Sequence, residues 1–254
     1  MQELLAAVPE DLSTTPSVTG SARNQLRQAI VALINRLENL SLALDPVRLP
    51  PYVLDPSDPQ TMGTLIAQAL LAQPRTPLKG VGRFYGSGVY ALYYRGDFAT
   101  YKPISRTETP IYVGKADPAE HGADSVLAQG ERLSNRLGDH QRSIDAAENL
   151  RLEDFDCRYL VVKSAWQNTA ESYLIDKHKP VWNNELGICY GFGKHGDSSD
   201  TRKNTRSPWD TLHPGRKWAA TKNTVPNALS AKQIAEKILK HFTTFSQNTH
   251  QKPF

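Results

Sequence analysis

The chain has 254 residues, long enough to bury one elaborated core. Its 39% hydrophobic and 22% charged residues exclude a disordered polyelectrolyte and a membrane-embedded bundle. The formal net charge of +4 says little about partners alone, but residues 191–254 carry 11 basic against 4 acidic side chains. That suits either a segment touching phosphates or a solvated tail that is basic by chance.

In chain order, residues 1–22 are rich in Ser, Thr and Pro and predict a loose stretch. The chain opens with acidic residues, and no 18-residue apolar span or signal peptide appears, so a cytoplasmic, reducing setting with no membrane contact is expected. Leu26, Ile30, Leu33, Leu37 and Leu40 recur at helical spacing with Arg23, Arg27 and Arg36 among them. The pattern predicts an amphipathic helix over 23–44 whose apolar face rests on the protein body or a partner subunit. Pro46, Pro50, Pro51, Pro56 and Pro59 make an irregular spacer, and a second helix is expected over 61–72.

Strands rich in aromatic and β-branched residues are expected at 88–94, 110–113 and 154–162. The polar stretch 96–109 reads as a long hairpin excursion and 117–130 as a loop. Helices are expected at 131–149, 168–178 and 229–242. Asn168 or Thr169 caps the second of these, Glu171 lies in its first turn, and Pro180 ends it. Cys157 reads as a small core residue, and with Cys189 it makes neither a disulfide framework nor a metal pattern. After residue 186 come Gly187, Gly191, Gly193 and Gly196, then the run Ser-Pro-Trp-Asp-Thr-Leu-His-Pro-Gly-Arg-Lys-Trp at 207–218.

By residue type, Arg136, His140, Glu171, Tyr90, Tyr112 and Asn183 are suitable parts for phosphodiester hydrolysis. An arginine offsets charge on phosphoryl oxygens, one carboxylate can hold a hard cation, and a tyrosine or histidine can order or deprotonate water. Each also has a plain structural reading. The tyrosines fit strand cores, Arg136 with His140 fits a solvated helix face, and Glu171 fits a dipole partner. No metalloprotease spacing, Walker loop or dinucleotide fingerprint is present, and the glycines at 80–86 lack a following Gly-Lys-Ser/Thr.

Gly88-Val89-Tyr90, followed by Tyr112-Val113-Gly114, resembles the two-strand signature of the GIY-YIG nuclease superfamily. The order continues with Leu133-Ser134-Asn135-Arg136 and His140, then Glu171, then Lys179-Pro180-Val181-Trp182-Asn183. Over residues 80–218 the chain is most similar to Eco29kI-like type II restriction endonucleases of bacteria. The resemblance implies an α/β fold: a small, mainly three-stranded antiparallel sheet flanked by helices, with N- and C-terminal extensions. Residues 1–75 would be a helical extension that could serve assembly, a role the resemblance does not fix. Residues 76–190 would be the catalytic core with an insertion at 95–109, and residues 191–254 a basic DNA-contacting extension.

Carried over by motif, Tyr90 would act as general base or place the water, and Tyr112 would hydrogen-bond in the same site. Arg136 would bind the scissile phosphate, and His140 would support proton transfer. Glu171 would ligate one Mg²⁺ (or Mn²⁺), and Asn183 would hold the geometry. Lys115 would help by favouring a tyrosinate. The implied reaction is one-metal hydrolysis of double-stranded DNA at a palindromic, G/C-rich site such as CCGCGG, leaving 5′-phosphate and 3′-hydroxyl ends. A homodimer or homotetramer would cut both strands, and a cognate methyltransferase would protect the host. Arg95, Lys102, Arg106, Lys194, Arg202, Lys203, Arg206, Arg216 and Lys217 are the candidates for phosphate or base contact. The competing readings are a structure-selective or homing-type nuclease of the same superfamily and a non-catalytic DNA-binding module. The gap between Tyr90 and Tyr112 exceeds that of the minimal module, and the N-terminal stretch is longer than is typical.

Overall fold

A strand with seven consecutive apolar or aromatic positions has no polar face to offer to water, so it belongs at the centre of a sheet covered on both sides. The computed structural model describes residues 20–44, 47, 53–120, 122–163, 166–193, 205–221 and 224–249. Most of the stretch 1–22, and Pro46, Pro50 and Pro51 of the spacer, lie outside the described residues. The chain divides into two units, Met1–Leu54 and Asp55–Phe254.

The first unit contains helix α1 (Gly20–Leu44), which carries the predicted apolar stripe. Ile30, Leu33, Leu37, Leu40 and Leu44 follow one another at alternating spacings of three and four, and all five are exposed.

In the second unit, β1 (Thr76–Pro77), β2 (Gly88–Tyr94), β3 (Tyr112–Ala116) and β4 (Phe155–Val161) form one antiparallel sheet in the order β1-β4-β2-β3. The three long strands are the expected ones, and Thr76–Pro77 adds a short edge. β2 is buried along its whole length. Tyr90, Leu92 and Tyr94 belong to one apolar cluster, and Val89, Ala91 and Tyr93 to another, as the two-residue period of a strand requires.

Helices α2 (Pro59–Leu71) and α4 (Gln167–His178) pack against each other and supply the second cluster. α2 starts two residues earlier than its apolar pattern suggests. Asp58 caps it with bonds from the amides of Gln60 and Thr61, and Pro59 takes the first turn, where its missing N–H costs nothing. α4 also starts early. Its N-cap is Trp166, with no side-chain capping bond, so neither Asn168 nor Thr169 is the cap and Glu171 lies beyond the first turn. The buried Gln167 accounts for the shift, because its amide reaches the Ser87 hydroxyl at 3.2 Å and draws the start of the helix onto the sheet. At the other end Lys179 adopts the left-handed conformation, with φ 44°, immediately before Pro180.

The opposite sheet face is covered by α3 (Arg132–Asp145), by short α5 (Pro208–Leu212) and by α6 (Ala231–Thr249). The excursion between β2 and β3 contains a 3₁₀ turn at Ala99–Ile104 and is fastened to the C-terminal run by a buried polar chain. The Tyr101 hydroxyl lies 2.5 Å from His213 Nε2 and accepts the Trp182 indole N–H at 2.8 Å, while His213 Nδ1 meets Asn149 Oδ1 at 2.8 Å. Burial holds the His213 pKa down at about 3, so the link is made by a neutral ring. Cys157 is fully buried and its thiol is pushed up to about 12, the behaviour of an inert packing residue.

Leu92 lies at the middle of β2 with no exposed surface. Leu92→Ala is expected to lower unfolding stability by about 2–5 kcal/mol. Chemical denaturation measures this, and an unchanged midpoint would refute the central placement of the strand.

Candidate active site

The cluster assembles at the outer edge of the sheet, where the layers on its two faces meet. β3 is the edge strand, and its pairing with β2 sets Tyr90 opposite Gly114. A Cβ at position 114 would land on the Tyr90 hydroxyl, so the glycine of the second strand word is the space that the first word's phenol occupies. Val113 N–H donates to Asn183 Oδ1 at 3.0 Å, and Asn183 Nδ2 donates to Val113 O at 2.8 Å. This one buried amide takes the place of a further strand and holds β3 between Tyr112 and Gly114.

Tyr90 has no exposed surface, and its hydroxyl shares a 2.6 Å hydrogen bond with His140 Nε2 from α3. Tyr112 retains 9% exposure, with its ring centroid 6.1 Å from that of Tyr90 and 5.2 Å from that of His140. Arg136, one turn before His140 on the same helix face, lies close enough to both tyrosines for its charge to act on each phenol. Burial, and secondarily the neighbouring Tyr112, push the Tyr90 phenol well above its ordinary range, with Arg136 pulling the other way. Burial likewise raises Tyr112, against Arg136. Both phenols are therefore neutral near pH 7. For Arg136, burial works against the charge, but the two phenol oxygens outweigh it and the guanidinium is held more firmly protonated.

Glu171 approaches from α4, on the other sheet face. Burial raises its carboxyl pKa to about 7; Lys115 opposes this with its charge and its backbone N–H, and Glu185 and Asp117 add to it. Tyr112, Arg136 and Glu171 line two adjoining clefts. The larger, of about 440 Å³, also holds Asp117, Arg132 and Asn135; the other runs past Asn183, Tyr190 and Gly193. Tyr90 and His140 stand immediately behind Tyr112.

Two expectations change. Lys115 does not favour a tyrosinate. Side chains alternate along β3, so the residue after Gly114 points away from Tyr90, and Lys115 pairs with Asp117 and bears on Glu171. Arg216 is not a surface contact for DNA. It is 4% exposed and is bonded bidentately to the buried Asp210, at 2.6 and 2.8 Å. Of the remaining basic candidates, Lys102, Arg106 and Lys217 are exposed. Arg95 is exposed too and bonds Glu153 O at 2.7 and 3.0 Å, and the partly buried Arg206 donates to Ala219 O at 3.1 Å. Lys194, Arg202 and Lys203 lie outside the described residues. Sequence reasoning missed Phe192, whose ring stacks on His140 at 4.4 Å and 17°. The available signal was its position between two glycines.

Among the described residues, no group of three or more His, Cys, Asp and Glu side chains could hold a metal by protein ligands alone. A hard cation that keeps its waters needs only one or two carboxylates plus phosphate oxygens. Glu171 fits that requirement. It borders an open cleft, and burial and its acidic neighbours disfavour its bare charge, a penalty that a cation would relieve.

The family described as the Eco29kI GIY-YIG domain matches residues 82–242, well over half of the chain. No curated protein matches it.

Gly114→Ala is expected to displace the Tyr90 hydroxyl and break its bond to His140; an unshifted Tyr90–His140 pair in a crystal structure of the variant would refute the spacing argument. The Glu171 pKa gives a pH-dependent prediction. A carboxyl whose native pKa of about 7 exceeds its ordinary 4.5 binds a proton more readily folded than unfolded. Its contribution is fully present below 4.5 and is lost as pH rises through 7. Without divalent metal, Glu171→Gln should therefore melt near the wild type at pH 5 and above it at pH 8, whereas a gap that does not widen with pH would contradict the assigned environment.

Proposed function

Because the chain belongs to the Eco29kI family of GIY-YIG nucleases, we propose that it is a type II restriction endonuclease hydrolysing double-stranded DNA at a specific palindromic, G/C-rich site with one divalent metal ion. The observation that carries the reading is the convergence of Tyr112, Arg136 and Glu171 on one open cleft, with Tyr90 and His140 hydrogen-bonded behind it.

A scissile phosphate in the cleft meets Arg136, a guanidinium held firmly protonated beside two phenols, which stabilises charge growing on the phosphoryl oxygens. Glu171 would hold Mg²⁺, or Mn²⁺ in its place, which when bound would supply Lewis-acid charge for the phosphate. The attacking water is oriented by the tyrosine pair. Because burial keeps both phenols neutral, neither acts as a standing tyrosinate. As a proton leaves the water toward the tyrosines, Tyr90 passes its own to His140 Nε2, which requires the imidazole tautomer protonated on Nδ1. Asn183 keeps β3, and with it Tyr112, in register through both polar atoms of Val113.

Cutting both strands of a palindrome calls for two equivalent sites, which a two-fold assembly supplies. The alternating three-and-four spacing on α1 suits packing against a second copy of that helix. The setting is a bacterial cell with a cognate methyltransferase that protects the host sequence. Among the described residues no helix is long and apolar enough to cross a membrane.

Digestion of a fully sequenced plasmid tests the reading. Discrete fragments should appear with Mg²⁺ and vanish with chelator, with CCGCGG as the first site to map. A smear, or cutting confined to branched DNA, points to another nuclease class. Glu171→Ala should bind duplex and fail to cut; a fully active variant would end the metal assignment. Lys102→Ala and Lys217→Ala should each weaken binding across all sequences and lower the slope of log affinity against log salt by about 0.9.

A further inference from the structure

Arg216 and Asp210 form a buried ion pair, with Asp210 1% exposed and itself hydrogen-bonded by the Ser207 hydroxyl. Such a pair adds little net stability over apolar packing. What it supplies here is direction. The Arg216 guanidinium donates to the carbonyls of Gly191 at 2.8 Å and Phe192 at 3.1 Å, and it lies 4.6 Å from the Trp209 ring.

Those two carbonyls belong to a strap, Gly191-Phe192-Gly193, that crosses the back of the candidate active site. Phe192 is fully buried and lies flat on His140 at 4.4 Å, and it meets Tyr112 edge-on at 5.3 Å. A Cβ on Gly193 would stand 2.8 Å from the Tyr112 hydroxyl and 3.0 Å from Arg136 Nη2, so the backbone passes close over both. The His140 ring has no exposed surface: Tyr90 holds its Nε2, Tyr112 meets it edge-on at 5.2 Å, and Phe192 supplies the aromatic face that lies parallel to it.

We infer that Arg216 and Phe192 are positioning residues: the Asp210-braced guanidinium anchors the strap, and the strap sets the ring plane of His140. Lysine cannot replace this arginine, because a point charge cannot engage both carboxylate oxygens and two carbonyls in one plane. The kinetic consequence rests on the nuclease reading, whereas the geometric one does not.

The test uses the full chain carrying ¹³C-labelled histidine, with the His140 ring signals identified by their loss in His140→Gln. In Arg216→Lys the His140 ring protons should move downfield as they leave the shielding face of Phe192; in Phe192→Leu, where that shielding is lost in any case, a crystal structure should show the His140 ring turned from its wild-type plane. Single-turnover cleavage at saturating enzyme should fall about 100-fold, as for an ångström-scale misplacement of a reacting group, with DNA affinity within about twofold of wild type. Phe192→Leu keeps the Arg216–Asp210 pair, so the test survives if Arg216→Lys fails to fold. An unturned His140 ring in Phe192→Leu would overturn the proposal. So would an Arg216→Lys defect confined to weaker, less salt-dependent DNA binding, or an undiminished rate per folded molecule. A wild type inert on all DNA would instead defeat the nuclease reading, and the ring signals would still decide the strap.

Discussion

One hydrogen bond, from a phenol on the central strand to an imidazole on the facing helix, organises the rest of the site. Tyr90 can make it only because three conditions hold together. β2 is covered on both faces, so its side chains are fixed by packing. Position 114 on the neighbouring strand has no Cβ, so the hydroxyl has room. α3 crosses with His140 facing inward and Arg136 one turn earlier beside the same phenol.

Around that bond the charges are divided by the sheet. Arg136 reaches the cleft from the face that carries α3, and Glu171 from the face that carries α4. Between them stands Tyr112 on the edge strand. The division keeps guanidinium and carboxylate on opposite walls of one cleft. Glu171 is left with a protein environment that disfavours its charge and Arg136 with one that favours it. An anionic ligand and a cation can then enter as a pair without displacing an existing salt bridge between the two walls.

Much of this was legible in the residues themselves. The aromatic runs marked β2 and β4, Pro180 marked the end of α4, and the order Tyr90, Tyr112, Arg136, His140, Glu171, Asn183 picked out residues that the fold gathers at the candidate site. What remained hidden depended on distance in sequence. The start of α4 was misjudged because Gln167 is drawn to Ser87, 80 residues away. The direction of Lys115 follows from strand register, which a single chain does not display. Arg216 looked like one more surface cation in a basic tail, because its burial depends on carbonyls 24 and 25 residues upstream. Likewise Phe192 announces nothing by composition; only the fold lays it on His140.

The amide clip of Asn183 on Val113 has a further effect. A strand at the margin of a sheet presents unpaired N–H and C=O groups, which recruit strands from other molecules. Here the margin is β3, which borders an open cleft at Tyr112. Asn183 saturates both polar atoms of Val113, the second residue of the strand, while leaving the cleft uncovered. The same side chain that holds the site in register thus joins the Trp182 amide, which bonds Ile111 O, in shielding this margin from intermolecular β-pairing.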